Sequence, residues 1–146
     1  MGLFDNTKIL FGIKNEPAKE TPPPKKILIV EDEKSLGDSL ETKLKEEKFI
    51  VLRAENGEAG LKTAVSEKPD VVVLDLVMPV MDGKTMLHEL RKIPGFEKLP
   101  VIVLTNVGTV DNMRDTKFYD GASDFLIKTN VTLNEVASRV KQLTGF

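Results

Sequence analysis

Residues 69–83 read PDVVVLDLVMPVMDG. The four apolar residues at 71–74 show no polar alternation, which is typical of a parallel strand covered by helices on both faces. Asp75 follows this run directly, and Pro79 and Gly83 mark a loop that leads into the next helix. The segment therefore predicts a buried central strand that ends at a carboxylate.

The same alternation of a short apolar run with a helical pattern occurs five times after residue 25, which is typical of βαβ units. The predicted strands are residues 26–30, 49–54, 70–74, 100–104 and 123–127. With right-handed crossovers, five such units favour an α/β doubly wound parallel sheet of the flavodoxin-like kind, in strand order 2-1-3-4-5 with five helices.

Apolar spacing of three and four residues predicts the helices. Leu36, Leu40 and Leu44 share one side of the first helix, and residues 59–65 and 86–93 give the second and third. Residues 110–119 are helical by position but have a weak apolar stripe, so we expect this fourth helix to be the most mobile. The last helix carries an apolar face formed by four residues, Leu133, Val136, Ala137 and Val140.

The organisation of the chain changes at three consecutive prolines, Pro22 to Pro24, which favour an extended backbone. Residues 1–24 are predicted to be a flexible tail and linker, and residues 25–146 a single domain. An alternative for the tail is a short docking helix for a partner, because it holds six large apolar residues (Leu3, Phe4, Ile9, Leu10, Phe11 and Ile13). The start resembles a myristoylation signal, but Asn6 stands where that signal needs Ser or Thr.

Composition excludes several classes of function. A net charge of −2 and a pI near 5.5 supply no basic field for nucleic acid, so we expect no direct DNA binding. The absence of cysteine excludes disulfides, thiolate catalysis and cysteine-bound metals. No apolar run reaches the length of a membrane span and no secretory signal is recognisable, so the expected location is the cytoplasm.

Polar residues follow the predicted strands at the points where they end. Parallel strands end at the same edge of a sheet, where ligands of such folds bind. The residues concerned are Glu31 and Asp32 after the first strand, Asp75 after the third, Thr105 after the fourth and Lys128 after the fifth. Each alone has an ordinary structural explanation, such as a helix cap or a solvated charge. Together they predict a small reaction site.

Crowded carboxylates need a positive charge between them, and Mg²⁺ prefers carboxylate oxygens, retained waters and phosphate oxygens. Asp32 and Asp75 are the candidate ligands. The ammonium of Lys128 and the hydroxyl of Thr105 would bind the oxygens of a transferred phosphoryl group. Phosphoryl transfer depends mainly on positioning and charge neutralisation, so these few groups suffice.

Four segments, KKILIVEDEK, PDVVVLDLVMPVMDG, LPVIVLTN and GASDFLIK, resemble the response-regulator receiver family of two-component signalling from residue 25 to residue 146. The resemblance implies a role for each matched position. Asp75 is similar to the phosphoacceptor, Glu31 and Asp32 to the acidic pair that holds Mg²⁺, and the Val77 carbonyl to a further metal ligand. Thr105 is similar to the switch hydroxyl, Lys128 to the invariant lysine, and Phe125 to the rotating aromatic residue.

Two positions depart from the family pattern. Thr129 stands where the family usually has a proline, often joined by a cis peptide bond, so this loop either keeps a costly cis bond or follows a trans path. Phe125 replaces the frequent tyrosine, which removes a hydroxyl but keeps the apolar ring.

The resemblance implies that a histidine kinase, a phosphotransfer protein or a small phosphodonor phosphorylates Asp75. The chain would then change its affinity for a downstream protein through the fourth helix, the fifth strand and the last helix. It would catalyse only its own phosphorylation and dephosphorylation. The alternatives are a pseudo-receiver that binds partners without phosphorylation, and a flavodoxin-like enzyme, for which a glycine loop after the first strand is missing.

Three further features of the sequence need a separate interpretation. Gly83-Lys84-Thr85 imitates the end of a P-loop, but Met78 stands where that motif needs glycine. His88 is the only histidine and is predicted to be an ordinary helix residue. Val77 and Val107, two residues beyond Asp75 and Thr105, offer no polar group to hold a hydrolytic water, which predicts a long-lived phosphorylated state for this family. The alternative is that both valines only pack against the neighbouring loops and do not affect the lifetime.

Overall fold

The structure is a computed structural model that describes residues 22–106 and 121–145. Its centre is one sheet of five parallel strands, in the order β2-β1-β3-β4-β5. The strands are β1 (Lys26–Val30), β2 (Ile50–Ala54), β3 (Val71–Leu74), β4 (Val101–Thr105) and β5 (Asp124–Ile127). The predicted fold class and strand order 2-1-3-4-5 are confirmed.

The described ranges contain four helices rather than the five predicted. They are α1 (Lys34–Glu46), α2 (Gly57–Glu67), α3 (Gly83–Arg91) and α4 (Leu133–Thr144). The predicted helix at residues 110–119 lies outside the described residues, and so does the tail as far as residue 21. None of the helices in the described ranges is long and apolar enough to cross a bilayer.

The strand β3 is fully buried and β1 is buried from Ile27 onward, because each face of the sheet carries a helical layer. Alternate residues of these strands enter different apolar clusters. Leu28 and Val72 belong to the cluster under α2 and α3, whereas Ile27 and Val71 belong to the cluster under α1 and α4. The non-alternating apolar runs in the sequence follow from this double coverage.

The bounds of β1 agree with the prediction, and the starts of the other four strands differ from it by one residue. The helices α2 and α3 start two and three residues earlier than predicted because of their caps. Asp82 accepts a hydrogen bond from the Thr85 N–H (2.7 Å), so α3 begins at residue 83 instead of 86. Asn56 caps α2 in the same way through the Ala59 N–H (2.9 Å). His88 is exposed on α3, as predicted.

Candidate functional site

The carboxyl ends of the strands bring the predicted polar residues to one edge of the sheet. Backbone bonds at the strand ends fix their positions: the Asp75 N–H donates to the Val30 carbonyl (3.0 Å), and the Lys128 N–H donates to the Thr105 carbonyl (2.9 Å). These bonds link β1 to β3 and β4 to β5 at the level of the site. The side chains that follow each strand therefore share a common edge, as the strand pattern predicted.

The ammonium of Lys128 lies between two buried carboxylates. Its Nζ is 2.8 Å from Glu31 Oε1 and 3.0 Å from Asp75 Oδ2. Glu31 is 3% exposed and Asp75 is 4% exposed. Burial alone would lower the pKa of Lys128, but the hydrogen bonds to both carboxylates raise it above its ordinary value. Lys128 therefore stays charged in the absence of any metal.

The pKa of Glu31 is shifted by its surroundings in the site. Burial raises its pKa from the ordinary value to about 6, and the negative charge of Asp75 acts in the same direction. Hydrogen bonds from Lys128 and from the Glu33 N–H (3.1 Å) to its carboxylate partly offset this effect. Both carboxylate oxygens of Glu31 thus accept hydrogen bonds, but burial still raises the free energy of its charged form.

The donor set suits a hard divalent cation. Carboxylate oxygens of Glu31, Asp32 and Asp75 all lie within 4.8 Å of one another. The site contains these three carboxylates and the ammonium of Lys128, so an excess of negative charge is left for a cation to neutralise. Asp32 is exposed and borders a cleft of about 340 Å³, so a hydrated ion has access from solvent. These residues fit Mg²⁺ by ligand type and by charge.

Val77 lies directly beside the Asp75 carboxylate. Its N–H donates to Asp75 Oδ1 over 3.3 Å, while its side chain is 63% exposed. The expected role of its carbonyl as a metal ligand stays a prediction. Val107, the second valine of the sequence analysis, lies outside the described residues.

The two residues expected to switch lie on the same face of the sheet. Thr105 is fully buried at the end of β4, and Phe125 on β5 is partly buried against the cluster under α2 and α3. Phe125 is in register with Val103, and alternation along β4 puts Val103 and Thr105 on one side. Residues 107–120, which connect β4 to the segment before β5 in the sequence, lie outside the described part of the chain.

The departure at Thr129 does not displace Lys128 from the site. No peptide bond within the described ranges is cis, so the chain takes the trans path after Lys128. A tight turn follows β5, in which the N–H groups of Asn130 and Val131 both donate to the Ile127 carbonyl, over 2.9 and 3.1 Å. Lys128 therefore reaches the acids without the proline that the family usually has.

Two glycines position the loop between Asp75 and α3, and the sequence analysis did not recognise either role. A Cβ on Gly83 would overlap the Asp75 carbonyl oxygen, and the Gly83 N–H donates to the Leu76 carbonyl (2.9 Å). A Cβ on Gly57 would lie 2.5 Å from the Met81 carbonyl oxygen, to which the Gly57 N–H donates (2.8 Å). The loop that positions Asp75 therefore requires glycine at positions 57 and 83.

Comparison with known proteins gives consistent matches. A family model described as the response regulator receiver domain matches residues 27–141. The transcriptional regulatory protein PrrA of Mycobacterium tuberculosis is 37% identical over 118 residues, which are 81% of this chain and 49% of PrrA. The chain spans about half the length, or less, of the curated relatives it matches.

Solved structures agree with the sequence matches. The Francisella response regulator 1452 receiver domain is 29% identical with a TM-score of 0.75, covering 83% of this chain and 97% of that chain. Response regulator TrrA of Thermotoga maritima, solved in complex with Mg(2+)-BeF, is 31% identical with a TM-score of 0.71, covering 82% and 98%.

A first prediction concerns Gly83. Gly83→Ala places a methyl group against the Asp75 carbonyl, so we expect the free energy of unfolding to fall by about 1–3 kcal/mol. Urea denaturation measures the change, with Lys84→Ala on the exposed side of the same helix as the control. If both variants unfold at the same urea concentration, the close approach at Gly83 does not constrain the loop.

A second prediction concerns pH in the presence of a chelator. The pKa of Glu31 rises from 4.5 in the unfolded chain to about 6 in the fold, so its contribution to stability is full below pH 4.5 and is lost as pH rises through 6. Glu31→Gln does not titrate. Relative to this variant, the parent should lose up to about 2 kcal/mol of stability between these pH values. A constant difference across the range would contradict the assignment, and exposed Glu58→Gln serves as the control.

Proposed function

The chain belongs to the response regulator receiver domain family, and on this premise we propose that Asp75 accepts a phosphoryl group in a Mg²⁺-dependent reaction. The observation that carries the proposal is the buried Asp75 carboxylate, which Lys128 holds beside Glu31 and the solvent-facing Asp32. The donor is a histidine kinase, a phosphotransfer protein or a small molecule with a reactive phosphoryl group.

In the proposed reaction an oxygen of Asp75 forms a bond to phosphorus, the bond from phosphorus to the donor atom breaks, and the donor leaves with the electron pair of that bond. Mg²⁺, bound by Glu31, Asp32 and Asp75, would neutralise the anionic groups that approach one another. Lys128 keeps its charge and supplies a second cation to the phosphoryl oxygens. The match to TrrA, which was solved with Mg(2+)-BeF, supports a magnesium-dependent site.

We propose that phosphoryl transfer to Asp75 is followed by a change in the conformation of the domain. The Thr105 hydroxyl moves toward the new phosphoryl oxygens and Phe125 fills the space that it leaves, which shifts an existing two-state equilibrium. The readout surface comprises residues 110–119, β5 and α4. The burial of Thr105 and the partial burial of Phe125 on the same face of the sheet support this coupling.

The output of the switch is proposed to be binding to another protein. Curated relatives carry names of transcriptional regulators, and this chain matches about half of their length. The weakly acidic composition of the present chain favours a protein over DNA as its direct contact. The chain is thus proposed to act as a signalling switch that reacts only at its own Asp75.

Asp75→Asn tests the acceptor, because it keeps the shape of the side chain and removes the nucleophile. Intact mass is measured after incubation with acetyl phosphate and Mg²⁺. The parent should gain one phosphoryl group and Asp75→Asn should gain none. Asp82→Asn, which lies in the same loop and retains a capping oxygen, should react like the parent. A phosphorylated Asp75→Asn protein would disprove the assignment.

The lifetime of the phosphorylated state gives a further prediction. Val77 has no polar group to hold a water in line with the bond from Asp75 to phosphorus, and Val107 is expected to share this property. Replacing them by Asn and Glu should accelerate loss of phosphate several-fold after the donor is removed, as followed by intact mass. Val77→Ile with Val107→Ile is the apolar control. Equal rates in both double variants would show that the valines do not control the lifetime.

A further inference from the structure

Arg53, the fourth residue of β2, connects the sheet to α1. Its Nη1 lies 3.0 Å from Asp38 Oδ1 and 2.8 Å from Glu41 Oε1. These acids are three residues apart on α1, a spacing that places them on the same side of the helix. The arginine side chain is only 26% exposed, so solvent screens these ion pairs less than it would screen a fully exposed pair. One guanidinium group therefore attaches the second turn of α1 to the edge strand.

The position of this guanidinium depends on Gly37, which is buried in the first turn of α1. A Cβ on Gly37 would overlap Arg53 Nη2, so the guanidinium lies directly against the helix backbone. Arg53 Nε is buried as well and has no hydrogen-bond partner among the residues that the structure describes. An unpaired buried donor is unfavourable, so the contact with α1 is maintained in spite of this loss.

The acids that bind Arg53 form a network that stays charged at neutral pH. Hydrogen bonds from Lys34 and Arg53 lower the pKa of Asp38. Hydrogen bonds from Lys45 and Arg53 lower the pKa of Glu41. Each lysine belongs to α1 itself and is four residues from its acid. Among these five residues, Arg53 is the one that belongs to the sheet, so it is the link between the sheet and the network.

A short path of hydrogen bonds leads from the first turn of α1 to the acids of the site. The Gly37 N–H donates to the Glu33 carbonyl (3.0 Å), and the Glu33 N–H donates to Glu31 Oε2 (3.1 Å). Asp32 and Glu33 are the two residues between Glu31 and the start of α1. A shift of the first turn of α1 would therefore move both Glu31 and Asp32.

The end of β2 also holds the backbone of these acids. The Glu31 N–H donates to the carbonyl of Ala54, the residue after Arg53 (3.0 Å). Arg53 and Asp32 line the same cleft of about 340 Å³. Two consecutive residues of β2 thus act on the acid pair, Ala54 through the backbone of Glu31 and Arg53 through α1.

We propose that Arg53 is a positioning residue for Mg²⁺, which holds α1 on β2 and thereby keeps Glu31 and Asp32 at the spacing at which they bind one cation together with Asp75. The inference rests on the magnesium site of the proposed function and adds a residue that does not touch the metal. Groups that orient metal ligands change metal affinity although they make no bond to the ion.

The charge of Arg53 makes the inference testable by the sign of an effect. A positive charge near the site repels Mg²⁺, so removing it would strengthen binding if charge alone mattered. Removing a positioning residue weakens binding instead, because the carboxylates lose their spacing. The two explanations therefore predict opposite changes in affinity.

Arg53→Met removes the guanidinium, and Mg²⁺ titrations of the full chain without a phosphodonor measure the result from the NMR shifts of the Asp32 and Glu33 amides. The dissociation constant should rise about tenfold, the lower end of the effect of residues that orient metal ligands. Lys34→Met is the control, because it removes a cation that pairs with the same Asp38 but belongs to α1 (2.9 Å). It should bind Mg²⁺ as tightly as the parent or more tightly. Parent-like or tighter binding by Arg53→Met would overturn the proposal.

Gly37→Ala tests the same contact without changing any charge. The added methyl group would displace the flexible end of Arg53, while alanine favours the helix, so this variant is expected to fold. Its dissociation constant for Mg²⁺ should rise as in Arg53→Met. Ser39→Ala, at an exposed position of the same helix, should bind like the parent. An unchanged affinity in Gly37→Ala would also overturn the proposal.

A double-mutant cycle tests whether Arg53 acts through the two acids on α1. Asp38→Asn/Glu41→Gln removes their charges and keeps their shapes. Adding Arg53→Met to this variant should weaken Mg²⁺ binding no further, because the contact is already lost. Losses that multiply in the combined variant would show that Arg53 acts by another route, and the proposal would be wrong.

The same titrations separate this inference from the proposed function. A parent protein that does not bind Mg²⁺ would contradict the proposed function and the inference together. A parent that binds Mg²⁺, with Arg53→Met and Gly37→Ala binding it equally well, would overturn the inference alone and leave the proposed function in place.

Discussion

The ammonium of Lys128 allows two carboxylates to be buried side by side. Glu31 and Asp75 are almost inaccessible to solvent, and an isolated charge in such a place would be neutralised or excluded. Lys128 bonds both acids, and its backbone N–H is fixed to Thr105 on the neighbouring strand. One residue thus compensates the charges and sets the spacing of the site. Removing one partner from such a buried pair costs about 3–5 kcal/mol, so the strand ends depend on it.

Much of this arrangement could be predicted from the sequence because parallel sheets impose simple geometry. Two runs of unbroken apolar residues identified the central strands, and the polar residue after each strand then had to lie at a common edge. The positions of Glu31, Asp75, Thr105 and Lys128 follow from this rule alone. The fourth helix, predicted at residues 110–119, had the weakest support because its apolar stripe is weak. These residues lie outside the described part of the chain.

Properties that depend on distances between separate elements could not be predicted. Glu31 and Asp32 are adjacent acids in the sequence, yet Glu31 is buried against Lys128 and Asp32 faces solvent. Their different surroundings arise from β5, almost a hundred residues away. The tight approaches at Gly57 and Gly83 likewise exist only after α2 and α3 have packed around the loop. A glycine at the start of a helix has many ordinary explanations, so nothing in the sequence singles these two out.

The residues of the site come from distant parts of the chain, so the site forms only when these parts have folded together. Glu31, Asp75 and Lys128 directly follow three different strands, β1, β3 and β5, and β5 comes after the other four described strands in the sequence. A chain that has not docked β5 has no ammonium beside its acids and lacks the link between Thr105 and Lys128. The proposed reaction at Asp75 would therefore require that β1, β3 and β5 have assembled. Partly unfolded copies would then neither consume the proposed signal nor compete for it.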